Sequence, residues 1–239
     1  MRILMIHGSR QSGELFRAKL QGLEKLIRRA LQPGEVEFLY PIAPFRLEPS
    51  NGTSELRNRH GEWSWWQSES IDGLYPGLED GLNGIGSILK DSGPFDGIIG
   101  FSQGAAAAAM VASLLEENRR DTFVRLEAEA GTHYPACFDT LEHPPLKFVV
   151  SISGYAASHP AYRAFYDPVI RTPMLHFLGS MDTIVDEAAS MRLVQSCQEG
   201  NEKKQTVIWH SGGHVVPNGK RELAAVAHFI KSTVSCKTS

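Results

Sequence analysis

Asp96-Gly97-Ile98-Ile99-Gly100-Phe101-Ser102-Gln103-Gly104-Ala105 is the stretch around which the chain is organised. A short β-branched run ends in Gly-x-Ser-x-Gly, and the alanines from Ala105 to Ala109 lead on into Met110, Val111, Leu114 and Leu115. This reads as strand, sharp turn and helix, the sequence form of a nucleophile elbow that lifts a serine hydroxyl to the top of a sheet. The small residues have steric reasons. A serine in such a turn has strained backbone angles, and side chains at Gly100 and Gly104 would collide across it. The alanines let the helix lie close to the sheet, with its unpaired N–H groups aimed at the serine.

Outward from the elbow, strands and helices alternate. Arg2 to His7 reads as the first strand, followed by a polar loop from His7 to Gly13 and a helix from about Ser12 to Leu31, stopped by Pro33-Gly34. Val36 to Tyr40 is the second strand. Leu78 to Lys90 carries apolar residues at helical spacing. Lys147 to Ser153 and Pro173 to Leu178 are strands with continuous apolar centres, and Gln205 to Trp209 is the last. A short helix at Tyr162 to Phe165, a helix from Glu187 to Gln198 and a closing helix from Lys220 to Lys231 complete the set. Two stretches, 41–76 and 118–145, read as irregular insertions, rich in proline and turn formers or in charge. The pattern predicts one α/β domain over 1–239, a doubly wound, mostly parallel sheet with helices on both faces, the two insertions shaping a substrate pocket. In such sheets chemistry sits at the carboxyl ends of the strands.

Composition narrows the function classes. The 239 residues are 42% hydrophobic and 21% charged, with a net charge of −3, which gives no electrostatic case for nucleic acid or an anionic membrane. The basic cluster Lys25, Arg28 and Arg29 lies at helical spacing beside Leu23, Leu26, Ile27 and Leu31, as the solvated side of an amphipathic helix does. Cys137, Cys197 and Cys236 are widely spaced and form no paired motif. The first apolar run is too short for a signal-peptide core, and no stretch approaches membrane-span length, so a cytoplasmic location is expected. Asn51-Gly52-Thr53 and Cys236-Lys237-Thr238-Ser239 match glycosylation and prenylation spacing by accident on this reading.

A serine hydroxyl needs a histidine to take its proton and a carboxylate to hold that histidine in the right tautomer. The α/β-hydrolase order is serine, acid, histidine. Ser102, Asp182 in Gly-Ser-Met-Asp and His214 in Gly-Gly-His supply it, the last two just past strand ends in glycine-containing loops. Asp186 and Glu187 are rivals for the acid, farther from the strand. His7 and His176 fall in or at the ends of apolar strands and read as core histidines. His210 and His214 are four apart, but Ser211-Gly212-Gly213 is a poor helix and lacks the glutamate of His-Glu-x-x-His, so no metal is expected, and no cofactor either. The backbone N–H of Gln103 and that of Ser9, with Arg10 as the alternative, are the expected oxyanion hole. Trp63, Trp65 and Trp66, three of the four tryptophans, read either as an apolar wall for an acyl chain, beside Phe101, or as pins holding a loop to the core.

These residues resemble a known family. Leu4-Met5-Ile6-His7-Gly8, Ala43-Pro44, the Trp63-to-Trp66 loop, Gly100-Phe101-Ser102-Gln103-Gly104, the Asp182 loop and Gly212-Gly213-His214-Val215-Val216-Pro217 look like the family of serine hydrolases called FSH. It is an α/β-hydrolase branch widespread in fungi and related to the human ovarian-cancer-associated protein 2. The resemblance implies catalytic roles for Ser102, Asp182 and His214. Several fungal members are thiohydrolases of polyketide pathways, similar to the lovastatin thioesterase, which implies an acyl carrier domain of a polyketide synthase as partner. A general carboxylesterase acting on small-molecule esters, or a non-catalytic binding protein on the same fold, are the other readings. The chain departs from the family at Asp186-Glu187, where relatives often carry proline after the valine.

Overall fold

The computed structural model describes residues 1–48, 61–67, 70–197 and 206–235. The glycosylation-like and prenylation-like motifs, and the start of the expected last strand at Gln205, lie outside the described residues. Six strands form one sheet: β1 (Arg2–Ile6), β2 (Glu37–Leu39), β5 (Gly97–Phe101), β6 (Phe148–Ile152), β7 (Met174–Gly179) and β8 (Val207–His210). Their spatial order is β2-β1-β5-β6-β7-β8, and every pairing is parallel. The chain leaves β1 towards β2 and later returns to the other side of β1 as β5. The order reverses there, and the ends of β1 and β5 open the crevice where α/β sheets bind ligands.

The strands look continuously apolar because both faces are covered. Successive residues fall alternately into two cores. Leu4, Ile6, Ile98 and Val149 face one, with helices α2 (Leu78–Ser92) and α3 (Gln103–Leu114). Ile3, Met5, Ile99, Phe101, Val150 and Ile152 face the other, with α1 (Gly13–Ala30) and α7 (Lys220–Ser235). Every residue of α3 is buried, which is what a helix apolar on all sides requires. Ser12 caps α1, its hydroxyl accepting from the Leu15 N–H at 3.2 Å.

The two insertions are more regular than their composition suggests. Within 41–76, β3 (Phe45–Leu47) and β4 (Glu62–Ser64) pair as an antiparallel hairpin apart from the main sheet. The 118–145 stretch, expected to be irregular, contains α4 (Arg119–Glu127) and the one-turn α5 (Ala136–Asp139). The helical signal of α4 hides in a charged sequence because only Thr122, Phe123 and Leu126 face inward, together with Arg119. Arg119 is 2% exposed and fully engaged. It donates to the carbonyls of Pro168 at 2.6 Å and Ala164 at 3.3 Å and pairs with Glu116 at 2.9 Å. The other Glu116 oxygen accepts from the amides of Arg171 and Thr172. This network ties α4 to the short 3-10 helix at Pro160–Phe165 and to the approach to β7. Removing one partner of a buried pair strands the other. Arg119→Met is therefore expected to destabilise the fold by about 3 kcal/mol, read by urea unfolding.

The remaining helix, α6 (Glu187–Gln195), follows β7. Among the described residues no helix is long and apolar enough to cross a membrane.

His7 and His176 are buried core histidines, as their strand positions predict. Burial brings each imidazole from the ordinary value of 6.5 down to about 4, against a bond to the Gly8 carbonyl that pulls His7 upward. Both are neutral in the folded chain and protonate once unfolded. Unfolding therefore takes up about two protons between pH 6.5 and 4, and stability falls as pH falls through that window, with a slope approaching about 3 kcal/mol per pH unit. Urea titrations at stepped pH check this, and a flat profile there contradicts the burial of both rings.

Candidate active site

The elbow forms as its glycines dictate. Ser102 sits at φ 54°, ψ −121°, a strained conformation between β5 and α3. A Cβ on Gly100 would lie 2.3 Å from the Gly104 carbonyl oxygen, and one on Gly104 would lie 2.2 Å from that of Ile6. Glycine at both positions is what lets the turn close against β1. The Ser102 N–H donates to the Ile152 carbonyl at 2.8 Å, fixing the elbow to β6.

Three strand-end loops then converge. Ser102 Oγ donates to His214 Nε2 at 2.8 Å, and His214 Nδ1 donates to Asp182 Oδ2 at 2.8 Å. The other Asp182 oxygen, Oδ1, accepts from the backbone N–H groups of Ile184 at 2.9 Å and Val185 at 3.0 Å. Burial pushes this carboxyl up, but the Val185 and Ile184 amides and the imidazole outweigh it and hold it below the usual carboxylate range. Asp182 is thus an anion with both oxygens committed. Its rival Asp186 precedes α6 instead, its carbonyl accepting from Ala189 and Ser190. With Asp186 and Glu187 at these positions the Asp182 turn is closed by the Ile184 and Val185 amides. The Phe101 ring packs on His214 with centroids 4.9 Å apart.

The loop after β1 passes directly over the elbow. A Cβ on Gly8 would lie 3.1 Å from Ser102 Cβ and 2.9 Å from the Phe101 ring, so only glycine lets this backbone approach. Ser9 and Arg10, the two candidates for the second oxyanion donor, both line the cleft, and Arg10 has a left-handed φ of 57°. His7 anchors the loop, donating from Nδ1 to the Gly8 carbonyl at 2.7 Å and accepting at Nε2 from the Ala43 N–H at 3.2 Å.

The tryptophans do not wall the pocket. Trp65 and Trp66 are both 0% exposed and sit in the core. Trp65 donates its indole N–H to the His7 carbonyl at 2.9 Å, and Trp63 packs partly buried beneath the Arg46 guanidinium. Their segment is clamped by the Gln103 side chain, whose Oε1 accepts from the Trp65 N–H at 2.8 Å while Nε2 donates to the Trp66 carbonyl at 2.9 Å. Ser64 Oγ lies 2.6 Å from that carbonyl, 2.9 Å from Gln103 Oε1 and 3.2 Å from Ser9 Oγ. Trp65 and Trp66 thus pin this segment to the core, with the Trp65 indole and amide N–H groups and the Trp66 carbonyl all hydrogen-bonded. Sequence reading assigns Gln103 a backbone role alone and passes over Ser64 and the two amides that hold Asp182. Nothing in the local sequence marks Ser64. The Asp182 turn at least carries a glycine-containing, Asp-led signature.

The cleft above the serine has a volume of about 560 Å³. Its described lining comes from the loop after β1 and α1 (Ser9, Arg10, Gln11 and Lys19), from the elbow (Phe101 and Ser102), and from the acid and histidine loops (Ile184, His214, Val215, Val216 and Asn218). No described residue of 41–76 or 118–145 contributes to it. Trp65 and Trp66 of the first insertion brace the elbow and the loop after β1 through Gln103 and the His7 carbonyl, while α4 of the second packs against the 160–168 segment. Among the described residues, no cluster of histidine, cysteine and carboxylate side chains is arranged to hold a metal ion.

Residues 1–226 match the family model described as Serine hydrolase (FSH1). The chain belongs to this family. The match begins with β1 and ends within α7, so it takes in the elbow, the acid turn and the histidine loop of the serine hydrolase. A zebrafish (Danio rerio) protein named Esterase OVCA2 is 30% identical over 250 residues, covering 97% of this chain and 96% of the relative. A Schizosaccharomyces pombe protein named dihydrofolate reductase is 30% identical over 228 residues. That alignment takes in 91% of this chain and only 44% of the relative, so the serine hydrolase corresponds to less than half of that longer protein. The solved structure of acyl-protein thioesterase 2 from Zea mays superimposes with a TM-score of 0.58 at 19% identity, over 98% of this chain and 94% of that one. At that identity the likeness is one of fold, and the fold is that of the α/β-hydrolases.

Proposed function

We propose that this serine hydrolase cleaves acyl esters and thioesters through an acyl-serine intermediate. The observation that carries the reading is the unbroken chain from Ser102 Oγ through His214 to an Asp182 anion held by two amides. Ser102 Oγ attacks the carbonyl carbon as His214 Nε2 takes its proton. The imidazolium gains from Asp182 across the Nδ1 bond. The developing oxyanion is held by the backbone N–H groups of Gln103, at the start of α3, and of Ser9 in the loop that Gly8 brings over the elbow. His214 returns the proton to the leaving oxygen or sulfur, then activates water to release the acid. A thiolate leaves readily because thiols have a pKa of about 8.5, so one site serves both bond types.

For the physiological substrate we put forward an acyl thioester on the carrier domain of a polyketide synthase. Support comes from the Gly-Phe-Ser-Gln-Gly and Gly-Gly-His-x-Val-Pro motifs, which resemble those of the FSH family, several of whose fungal members are thiohydrolases. The name of the zebrafish relative favours the simpler alternative, a carboxylesterase of small-molecule esters. Purified protein is mixed with an acyl-loaded carrier domain and, separately, with simple esters. Release of free acid from the carrier at a rate matching or exceeding ester turnover is expected. Turnover of esters with an inert carrier thioester would remove the carrier and leave the carboxylesterase.

A further inference from the structure

The cleft is lined by cationic and by apolar side chains, and the chemistry assigns some of the apolar ones to a particular part of the substrate. During acylation the Ser102 Oγ–carbon bond forms and the carbon–oxygen or carbon–sulfur bond breaks. The proton taken from Ser102 passes through His214 Nε2 to the departing atom. That atom must therefore come within about 3 Å of Nε2. The carbonyl oxygen points the other way, towards the amides near Ser9 and Gln103. Whatever flanks His214 in the cleft is consequently what the leaving group meets. Val215 adjoins His214 in the chain, Ile184 donates its N–H to the Asp182 carboxylate that holds the imidazole, and both side chains line the cleft.

Both are conspicuously open to solvent, Ile184 at 72% and Val215 at 50%. Neither exposure serves the acid turn. Ile184 holds Asp182 through its main-chain N–H, so the turn needs no particular side chain there. Single exposed apolar residues are ordinary. Two β-branched side chains lining one cleft with the general base are a surface that a ligand would desolvate. We propose that Ile184 and Val215 form the leaving-group subsite, selecting alcohols or thiols whose first carbons are aliphatic. This rests on the serine hydrolase reading above and specifies the side of the scissile bond that it leaves open.

Two ester series separate the sides of the bond. In one, the acyl group is acetyl and the alcohol runs from ethanol to hexanol. In the other, the alcohol is ethanol and the acyl chain runs from acetyl to hexanoyl. In wild type, kcat/KM is expected to climb with alcohol length. In Ile184→Ser, and separately in Val215→Ser, the hexyl-to-ethyl ratio in the alcohol series is expected to fall about tenfold, the scale of lost methylene contacts. The acyl series is expected to keep its wild-type profile. Active-site titration with a fluorophosphonate normalises each variant to folded, reactive enzyme. An unchanged alcohol profile in both variants, or a loss confined to the acyl series, overturns the subsite while leaving the hydrolase reading intact. Wild type that turns over neither series and takes up no fluorophosphonate overturns both.

Discussion

Ser102→Ala is expected to lower kcat by about 10⁶-fold with the fold intact. The reason for expecting an intact fold is geometric. The strain at the elbow belongs to the backbone at φ 54°, and alanine presents the same Cβ as serine to Gly8. Only the hydroxyl disappears, and with it the atom that forms the acyl bond. Any residual turnover over water comes from the oxyanion amides and substrate binding. Fluorophosphonate labelling disappears in the same variant, and thermal unfolding shifts little. Retention of activity within about tenfold of wild type would mean that another nucleophile works in the cleft, and the site proposed here would be wrong.

Asp182→Asn is the second large effect, expected to cost about 10⁴ in kcat. The two amides of Ile184 and Val185 decide how the asparagine sits. Both donate to Oδ1, so the amide oxygen must occupy that position. Its NH₂ then faces His214 Nδ1 and donates to it. Nδ1 becomes the acceptor, the ring proton moves to Nε2, and Nε2 can no longer receive the proton of Ser102. The imidazole remains beside the Phe101 ring but in the wrong tautomer. The fluorophosphonate labelling rate is expected to fall by a similar factor, since labelling draws on the same base. A loss below about 30-fold would show that the carboxylate only orients the ring, since charge and tautomer control together are what supply the larger factor.

The elbow and the sheet were legible in one dimension, as was the chain order of Ser102, Asp182 and His214, which the structure brings into hydrogen-bond contact. They depend on local rules: β-branched runs extend, glycine alone fits where a Cβ would strike backbone, and alanines allow a helix to lie flat on strands. The acid and histidine loops could be located because parallel strands bring their carboxyl ends to one edge, whatever lies between them. Ser102 and His214 meet across 112 positions for that reason. The helix at Arg119–Glu127 was not legible, because a buried, fully bonded arginine looks like a solvated one in a sequence.

The tryptophans mark the boundary most clearly. Aromatic side chains in a proline-rich loop are equally suited to a pocket wall and to a core, and no local rule separates the two. The choice falls to the core because Gln103, 38 positions from Trp65, supplies the acceptor that the Trp65 amide needs once buried, and the His7 carbonyl takes its indole N–H. The same long-range closure leaves Phe101, Ile184, Val215 and Val216, rather than the tryptophans, as the apolar lining of the cleft. Local pattern determines what each segment can become. Which side chains face a substrate follows only from the partners that distant segments bring, since burying a polar group is least costly where its hydrogen bond is met.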